Sequence, residues 1–173
     1  MNHELNQNKS TKSDEYYTLE YAVKPILKYI CKNKTIWCPF DKEESNFVKL
    51  LRNNGNKVIF SHIELGLDFF IYEPNEYDII ISNPPYSLRT DILERLFKIG
   101  KPFAMLINNS GLFDTKKRYE MLKNNQFEMM IFDKRINYMK DGIIMKGVTF
   151  TSIYLCSNLL PSKIVFENMF TKE

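Results

Sequence analysis

Several broad classes are excluded by what this chain has little of. Cysteine is scarce: Cys31, Cys38 and Cys156 are scattered, odd in number and without Cys-x-x-Cys spacing. That pattern argues against a disulfide framework or a metal site, and predicts a reduced cytoplasmic protein with small buried thiols. No apolar run is long enough to span a bilayer, and the N-terminus lacks the apolar core of a signal peptide, so no membrane partner is expected. Charge of one sign is also lacking: the net charge is only +3, which permits a nucleic-acid partner without demanding one. Neither an internal repeat nor a linker is visible. The 173 residues, 44% hydrophobic and 14% aromatic, therefore read as one domain over residues 14–173 with a sizeable core. Residues 1–13, polar and rich in Asn, Lys and Ser, read as a disordered tail.

What is present is an alternation of strands and helices. Thr18 is placed to cap a helix through Tyr21, Ala22, Val23, Ile26, Leu27 and Ile30, with Pro25 inside it. Thr35 to Cys38 reads as a first strand. Asp41 and Glu44 have capping-box spacing ahead of the apolar stripe Phe47, Val48, Leu50 and Leu51, which Gly55 stops. Further strands are expected at Lys57 to Ile63, Asp68 to Ile71, Asp78 to Ser82, Pro102 to Ile107, Phe127 to Asp133 and Val148 to Cys156. Helices are expected at Thr90 to Ile99 and Thr115 to Asn124. Alternation through the first five strands predicts a parallel sheet covered on both faces. With no helix between them, the last two strands predict one antiparallel member. The expected fold is α/β, Rossmann-like, with seven strands.

Asn83-Pro84-Pro85-Tyr86 is the most informative segment. It follows a short, β-branched apolar run, and two prolines force the chain to turn at that strand's end. Ligands bind at the carboxyl ends of strands in open α/β sheets. The tetrapeptide offers there an amide oxygen, a rigid carbonyl and an aromatic face. The lone pair of an exocyclic purine amine is delocalised into the ring. Accepting both of its N–H bonds, at Asn83 and at the Pro84 carbonyl, localises that pair on nitrogen. Pro85 aims both acceptors at one place, and Tyr86 can stack on the base.

The segment resembles the (Asp/Asn/Ser)-Pro-Pro-(Tyr/Phe/Trp) motif of class I S-adenosylmethionine-dependent amino-methyltransferases. Asp78 to Ser87 is similar to phage- and prophage-type adenine-N6 methyltransferases in particular. The resemblance extends from Tyr16 to Cys156. It implies S-adenosyl-L-methionine as cofactor, DNA as partner with the target base flipped out, and Asn83, Pro84, Pro85 and Tyr86 as the catalytic set. It also places Tyr17 and Thr18, within Tyr16-Tyr17-Thr18-Leu19, at the methionine carboxylate, although Leu19 replaces the family's proline.

The turn after the first strand, Cys38-Pro39-Phe40-Asp41, has no glycine, and Cys38 stands where the family carries an acid. Pro39 matches the motif. Asp41 is either a ligand for the cofactor's ammonium or only a helix cap. His62 occupies the usual ribose-binding place with Glu64 two residues on; it is either that ligand or structural. Asp68 and Phe69, within Gly66-Leu67-Asp68-Phe69-Phe70, resemble the segment that holds the cofactor's adenine.

No room is left for a separate target-recognition domain. The segment Lys134-Arg135-Ile136-Asn137-Tyr138, chiefly Lys134, Arg135 and Asn137, and the loop Gly142 to Gly147 are the candidates for substrate contacts. Lys116-Lys117-Arg118 and the pair Lys140 and Lys146 read as phosphate contacts or as a solvated face. RNA or a protein glutamine amide would suit the same chemistry, whereas cytosine-N4 enzymes more often carry Ser in place of Asn83. A non-catalytic nucleic-acid-binding module of the same fold is the alternative from another class. The oligomeric state stays open. Ile164-Val165-Phe166 with Met169-Phe170 either packs a partner or closes the core.

Overall fold

Every strand of the central sheet carries apolar side chains on alternate faces, and that period divides the core in two. The computed structural model of the chain describes residues 17–140, 142–145 and 147–169. In chain order, β1 is Tyr17–Thr18, α1 Glu20–Leu27, β2 Thr35–Cys38, α2 Asn46–Asn53, β3 Lys57–Phe60 and β4 Ile79–Ser82. Then follow α3 Arg89–Ile99, β5 Phe103–Asn108, α4 Lys116–Asn124, β6 Glu128–Phe132, β7 Tyr138–Lys140, β8 Ile143–Met145, β9 Ser152–Ser157 and β10 Ile164–Glu167. Short 3₁₀ turns occupy Ile63–Leu65 and Tyr86–Leu88. No helix among the described residues is long and apolar enough to cross a membrane.

The main sheet has seven strands in the order β10-β6-β9-β5-β4-β2-β3. All its pairs are parallel except those of β9, which is antiparallel to both β5 and β6. On one face Ile36, Ile81, Ala104, Leu106, Tyr154 and Cys156 meet Ala22, Val23 and Ile26 of α1 and Phe47, Val48 and Leu51 of α2. On the other, Trp37, Ile80, Phe103, Met105, Ile107, Ile153 and Leu155 meet Ile92, Leu93 and Leu96 of α3 and Leu122 of α4. The fold is thus mixed α/β and doubly wound, as expected from the alternation. A separate small sheet, in the order β1-β7-β8 and antiparallel throughout, stands beside it.

Four local expectations are corrected. Asp68 to Ile71 is not a strand: Asp68 Oδ1 accepts from the Phe70 N–H (3.0 Å) and the Asp68 carbonyl from those of Ile71 and Tyr72, an Asx turn in place of a ladder. The seventh strand is instead β10, where Ile164–Glu167 pairs parallel to β6. Within that apolar tail Met169 joins the core while Phe166 stays exposed, and Phe170 lies outside the described residues. Asp41 does not cap α2. Ser45 does, its Oγ accepting from the Val48 N–H at 3.3 Å. Thr18 does not cap α1 either but lies in β1, with Leu19 at the cap position. Pro25 does fall inside α1, where it removes one bond to the preceding turn. The tail at residues 1–13 and Tyr16 lie outside the described residues.

Candidate active site

Strand order reverses direction at β2: the chain passes from β2 outward to β3, then returns to β4 on the other side of β2. Such a switch point opens a crevice at the carboxyl ends of the two strands. A cavity of about 550 Å³ lies there, within the size range of small-molecule sites. The turns after β2 and β4 both feed it. Its lining includes Tyr17, Thr18, Pro39, Asp41, His62, Asp68, Phe69 and the whole of Asn83-Pro84-Pro85-Tyr86. Residues from five separate segments of the sequence are therefore gathered in one place.

Asp41 is the deepest charge. It is buried, its carboxylate accepts from the Ser82 hydroxyl at the end of β4 and from Ser45, and Ser82 Oγ in turn accepts from the Phe40 N–H at 3.2 Å. Burial pushes its pKa up from 3.8 to about 6, against the two serine hydroxyls that pull it down. At neutral pH the site therefore holds a largely ionised carboxylate that lacks the hydration it would have in water. That is a strong receptor for a cationic ligand group. Cys38 is buried, and burial keeps its thiol protonated, so it adds no charge.

The rim beyond β3 carries polar groups. His62 Nδ1 accepts from the Glu64 N–H at 3.2 Å, so the neutral ring carries its proton on Nε2. Burial, then Lys42, lowers the His62 pKa and keeps it neutral. Lys42 and Glu64 pair at 2.6 Å across the mouth, and both line the cavity. Asn46, at the start of α2, donates to the Thr18 carbonyl at 2.8 Å and ties β1 to this wall.

The Asx turn at Asp68 presents its carboxylate to the cavity and sends Phe69 inward. Phe69 is only 2% exposed, packed on Trp37 (5.5 Å) and Phe40 (4.9 Å) with the Arg95 guanidinium over its ring. Little of its ring is left open to the cavity. Phe40, half-buried on the same lining, supplies an aromatic surface that reading the sequence had passed over. The signal was present: an aromatic between Pro39 and Asp41 has to face one side of that turn.

At the tetrapeptide, Asn83 Nδ2 donates to Thr18 Oγ1 at 3.1 Å, which orients the amide with its oxygen on the opposite edge. The Tyr86 hydroxyl donates to that of Tyr138 (3.0 Å), which is also hydrogen-bonded to Ser152 Oγ at 2.7 Å. Phe150 meets the Tyr86 ring nearly perpendicularly at 5.6 Å. Both ends of the tetrapeptide are thus held by the small sheet, Thr18 from β1 and Tyr138 from β7. No motif pointed to Phe150 or Ser152, and Tyr138, which closes the segment Lys134 to Tyr138 read as a candidate for substrate contacts, meets instead the Tyr86 hydroxyl, 52 residues away in sequence.

Lys134, Arg135 and Asn137 do not line the cavity. Lys134 and Arg135 are exposed in the loop ahead of β7, where an Arg135 guanidinium N–H donates to the Val148 carbonyl. The Asn137 backbone is bonded to the Tyr21 hydroxyl at 2.8 Å. Within Lys116-Lys117-Arg118, Lys117 pairs with Glu94 and Asp91, and Arg118 donates to the Gly111 and Leu112 carbonyls, so these charges brace α4 against α3 and the loop after β5. Lys146 lies outside the described residues.

No protein-family model matches the chain. It is similar to the type II methyltransferase M.EcoRI of Escherichia coli, 24% identical over 174 aligned positions that cover 70% of this chain and 53% of that protein. The chain thus spans about half the length of this curated relative. Among solved structures it is similar to a precorrin-6y C5,15-methyltransferase from Geobacter metallireducens, with a TM-score of 0.47 and 12% identity over 85% of this chain and 94% of that one.

Proposed function

We propose that this chain is a methyltransferase that uses S-adenosyl-L-methionine to methylate the exocyclic N6 amine of adenine in DNA. The observation that carries the reading is the placement of Asn83-Pro84-Pro85-Tyr86 and of the buried Asp41 in one cavity, at the switch point of the sheet. Similarity to a type II methyltransferase supports the same reaction class.

The lining fits such a cofactor group by group. Asp41 is the receptor for an ammonium, His62 and Glu64 suit ribose hydroxyls, and Asp68 suits an adenine amine beside Phe40 and Phe69. Tyr17, Thr18 and Pro39 close the methionine end. When bound, the cofactor supplies a methyl group already activated by its sulfonium charge. The chain's own residues then need only hold the acceptor. Thr18 fixes the Asn83 amide so that its oxygen and the Pro84 carbonyl are two acceptors for one –NH₂ group. Two accepted hydrogen bonds draw the nitrogen toward tetrahedral geometry and localise its lone pair. Tyr86, braced by Phe150 and Tyr138, stacks on the base once it leaves the duplex. Asn83 and Pro84 accept hydrogen bonds and not a proton, so the proton released on transfer leaves to solvent.

Calorimetric titration with S-adenosyl-L-methionine tests the cofactor. One-to-one binding is expected, weakened in Asp68→Asn, which can still accept from the Phe70 N–H and so keeps the turn. Asn83→Ala is expected to bind cofactor within a few-fold of the parent while methyl transfer to DNA falls by about 100-fold or more. Turnover unchanged in Asn83→Ala refutes the assignment. A folded protein that binds no cofactor, with or without DNA, points to the non-catalytic module.

A further inference from the structure

The turn at Asp68 is not a strand, so its shape has to be set by something other than a ladder. Asp68 Oδ1 accepts from the Phe70 N–H, and the Asp68 carbonyl accepts from the N–H groups of Ile71 (3.0 Å) and Tyr72 (2.7 Å). Those bonds close the turn on itself without fixing where it stands against the sheet. Its outer side faces solvent, with Ile71 83% exposed. The carbonyls of Phe70 and Tyr72, which a strand would give to a neighbour, are taken by one side chain, Arg95 of α3. Its Nη1 donates to the Phe70 carbonyl at 2.5 Å, and its Nη2 to the Tyr72 carbonyl and to Glu73 Oε2, both at 3.3 Å. The guanidinium carbon also stands 5.1 Å from the centre of the Phe69 ring. Glu73 is held in turn, its Oε1 accepting from the Tyr77 hydroxyl at 2.7 Å. Arg95 thus touches Phe69, Phe70, Tyr72 and Glu73 from behind, and is not itself part of the cavity lining.

We propose that Arg95, held by Glu73, is the positioning residue that makes the Asp68 turn selective for adenine, an inference that rests on the cofactor reading above. A carboxylate tells adenine from a purine without the amine only if it stands at hydrogen-bond distance from that amine. A displacement of about 1 Å forfeits most of that discrimination. Arg95 can hold the turn because its own place is fixed: Ile92, Leu93 and Leu96 beside it are buried against the sheet. Its planar fork grips both carbonyls at once, which the single ammonium of a lysine does not do with the same rigidity. The helix also begins directly after the acceptor tetrapeptide and its short turn, at Arg89. Arg95 lies about 9 Å along it at about 1.5 Å per residue. One rigid element therefore carries the reference for both halves of the site.

The test is calorimetric titration of the full chain with S-adenosyl-L-homocysteine and with its 6-deamino analogue, in which purine replaces adenine. The proteins are the parent, Arg95→Met and Glu73→Ala. The parent should bind the adenine ligand about tenfold more tightly or better, because only that ligand satisfies the Asp68 carboxylate. Arg95→Met keeps an apolar stem beside Phe69 and loses the donors. It should bind the adenine ligand about tenfold more weakly than the parent and the purine ligand within about twofold, so that the preference nearly disappears. An equal loss on both ligands overturns the proposal, since a merely structural role lowers both alike. An unchanged preference overturns it too. Should Arg95→Met fail to fold, Glu73→Ala decides, because the Glu73 side chain is 43% exposed and its removal frees the Arg95 fork. Its preference should fall about threefold, and an unchanged one overturns the proposal. A parent that binds both ligands equally overturns it while leaving the cofactor reading in place. A parent that binds neither refutes the cofactor reading, and the role of Arg95 with it.

Discussion

Replacing Asp41 with asparagine should make the ligand-free protein more stable and its binding of S-adenosyl-L-methionine weaker. In the folded chain this carboxyl ionises at about 6, because burial disfavours the charged form; in the unfolded chain it ionises near its ordinary 3.8. Folded protein therefore holds the proton more tightly. The stability tied to that proton is fully present below pH 3.8 and is lost as pH rises through about 6. The gap corresponds to about 3 kcal/mol at about 1.36 kcal/mol per pK unit. Asparagine keeps an acceptor for the Ser82 hydroxyl and carries no charge at any pH. In urea unfolding without cofactor, Asp41→Asn should gain about 1–3 kcal/mol over the parent at pH 8, and that gain should vanish toward pH 4. Calorimetry on the same proteins should show S-adenosyl-L-methionine bound at least tenfold more weakly by the variant. The parent's affinity should itself fall as pH drops below about 6 and the carboxylate takes up its proton. A variant no more stable than the parent at pH 8, or a stability difference that ignores pH, refutes the claim that a desolvated charge sits at the bottom of this site.

Tyr86→Phe and Tyr138→Phe remove the same hydroxyl contact (3.0 Å), so their effects on methyl transfer should not add in the double variant. Tyr86→Ala, which removes the ring as well, should be worse than either; equal loss in Tyr86→Ala and Tyr86→Phe refutes a stacking role. At the end of α3, Gly100 has φ of 72° and open space around the position of a Cβ, so Gly100→Ala should lose about 1 kcal/mol in urea unfolding through backbone conformation alone. A neutral result there would mean that the helix end relaxes.

Much of this was determined by the sequence alone. β-branched runs at Thr35–Cys38 and Ile79–Ser82, the break at Pro84-Pro85 and the helix stop at Gly100 are local facts: they follow from side-chain period, a missing N–H and a left-handed glycine. From them came the alternating α/β order and the place of the candidate catalytic turn. Tertiary structure decided what these local facts leave open. Asp41 had cap spacing ahead of α2, but Ser45 takes that place and the Asp41 carboxylate accepts instead from Ser82, 41 residues away. Thr18 was placed as a helix cap until its hydroxyl met Asn83, 65 residues on. Asp68 to Ile71 had strand composition, but a single Asp side chain bonded to the backbone two residues later offered a turn in its place. β10 became a sheet strand only because the edge of β6 was open to receive it. Period and turn chemistry act within a few residues, whereas charge burial and the small sheet's grip on the site arise between segments that only the completed fold brings together.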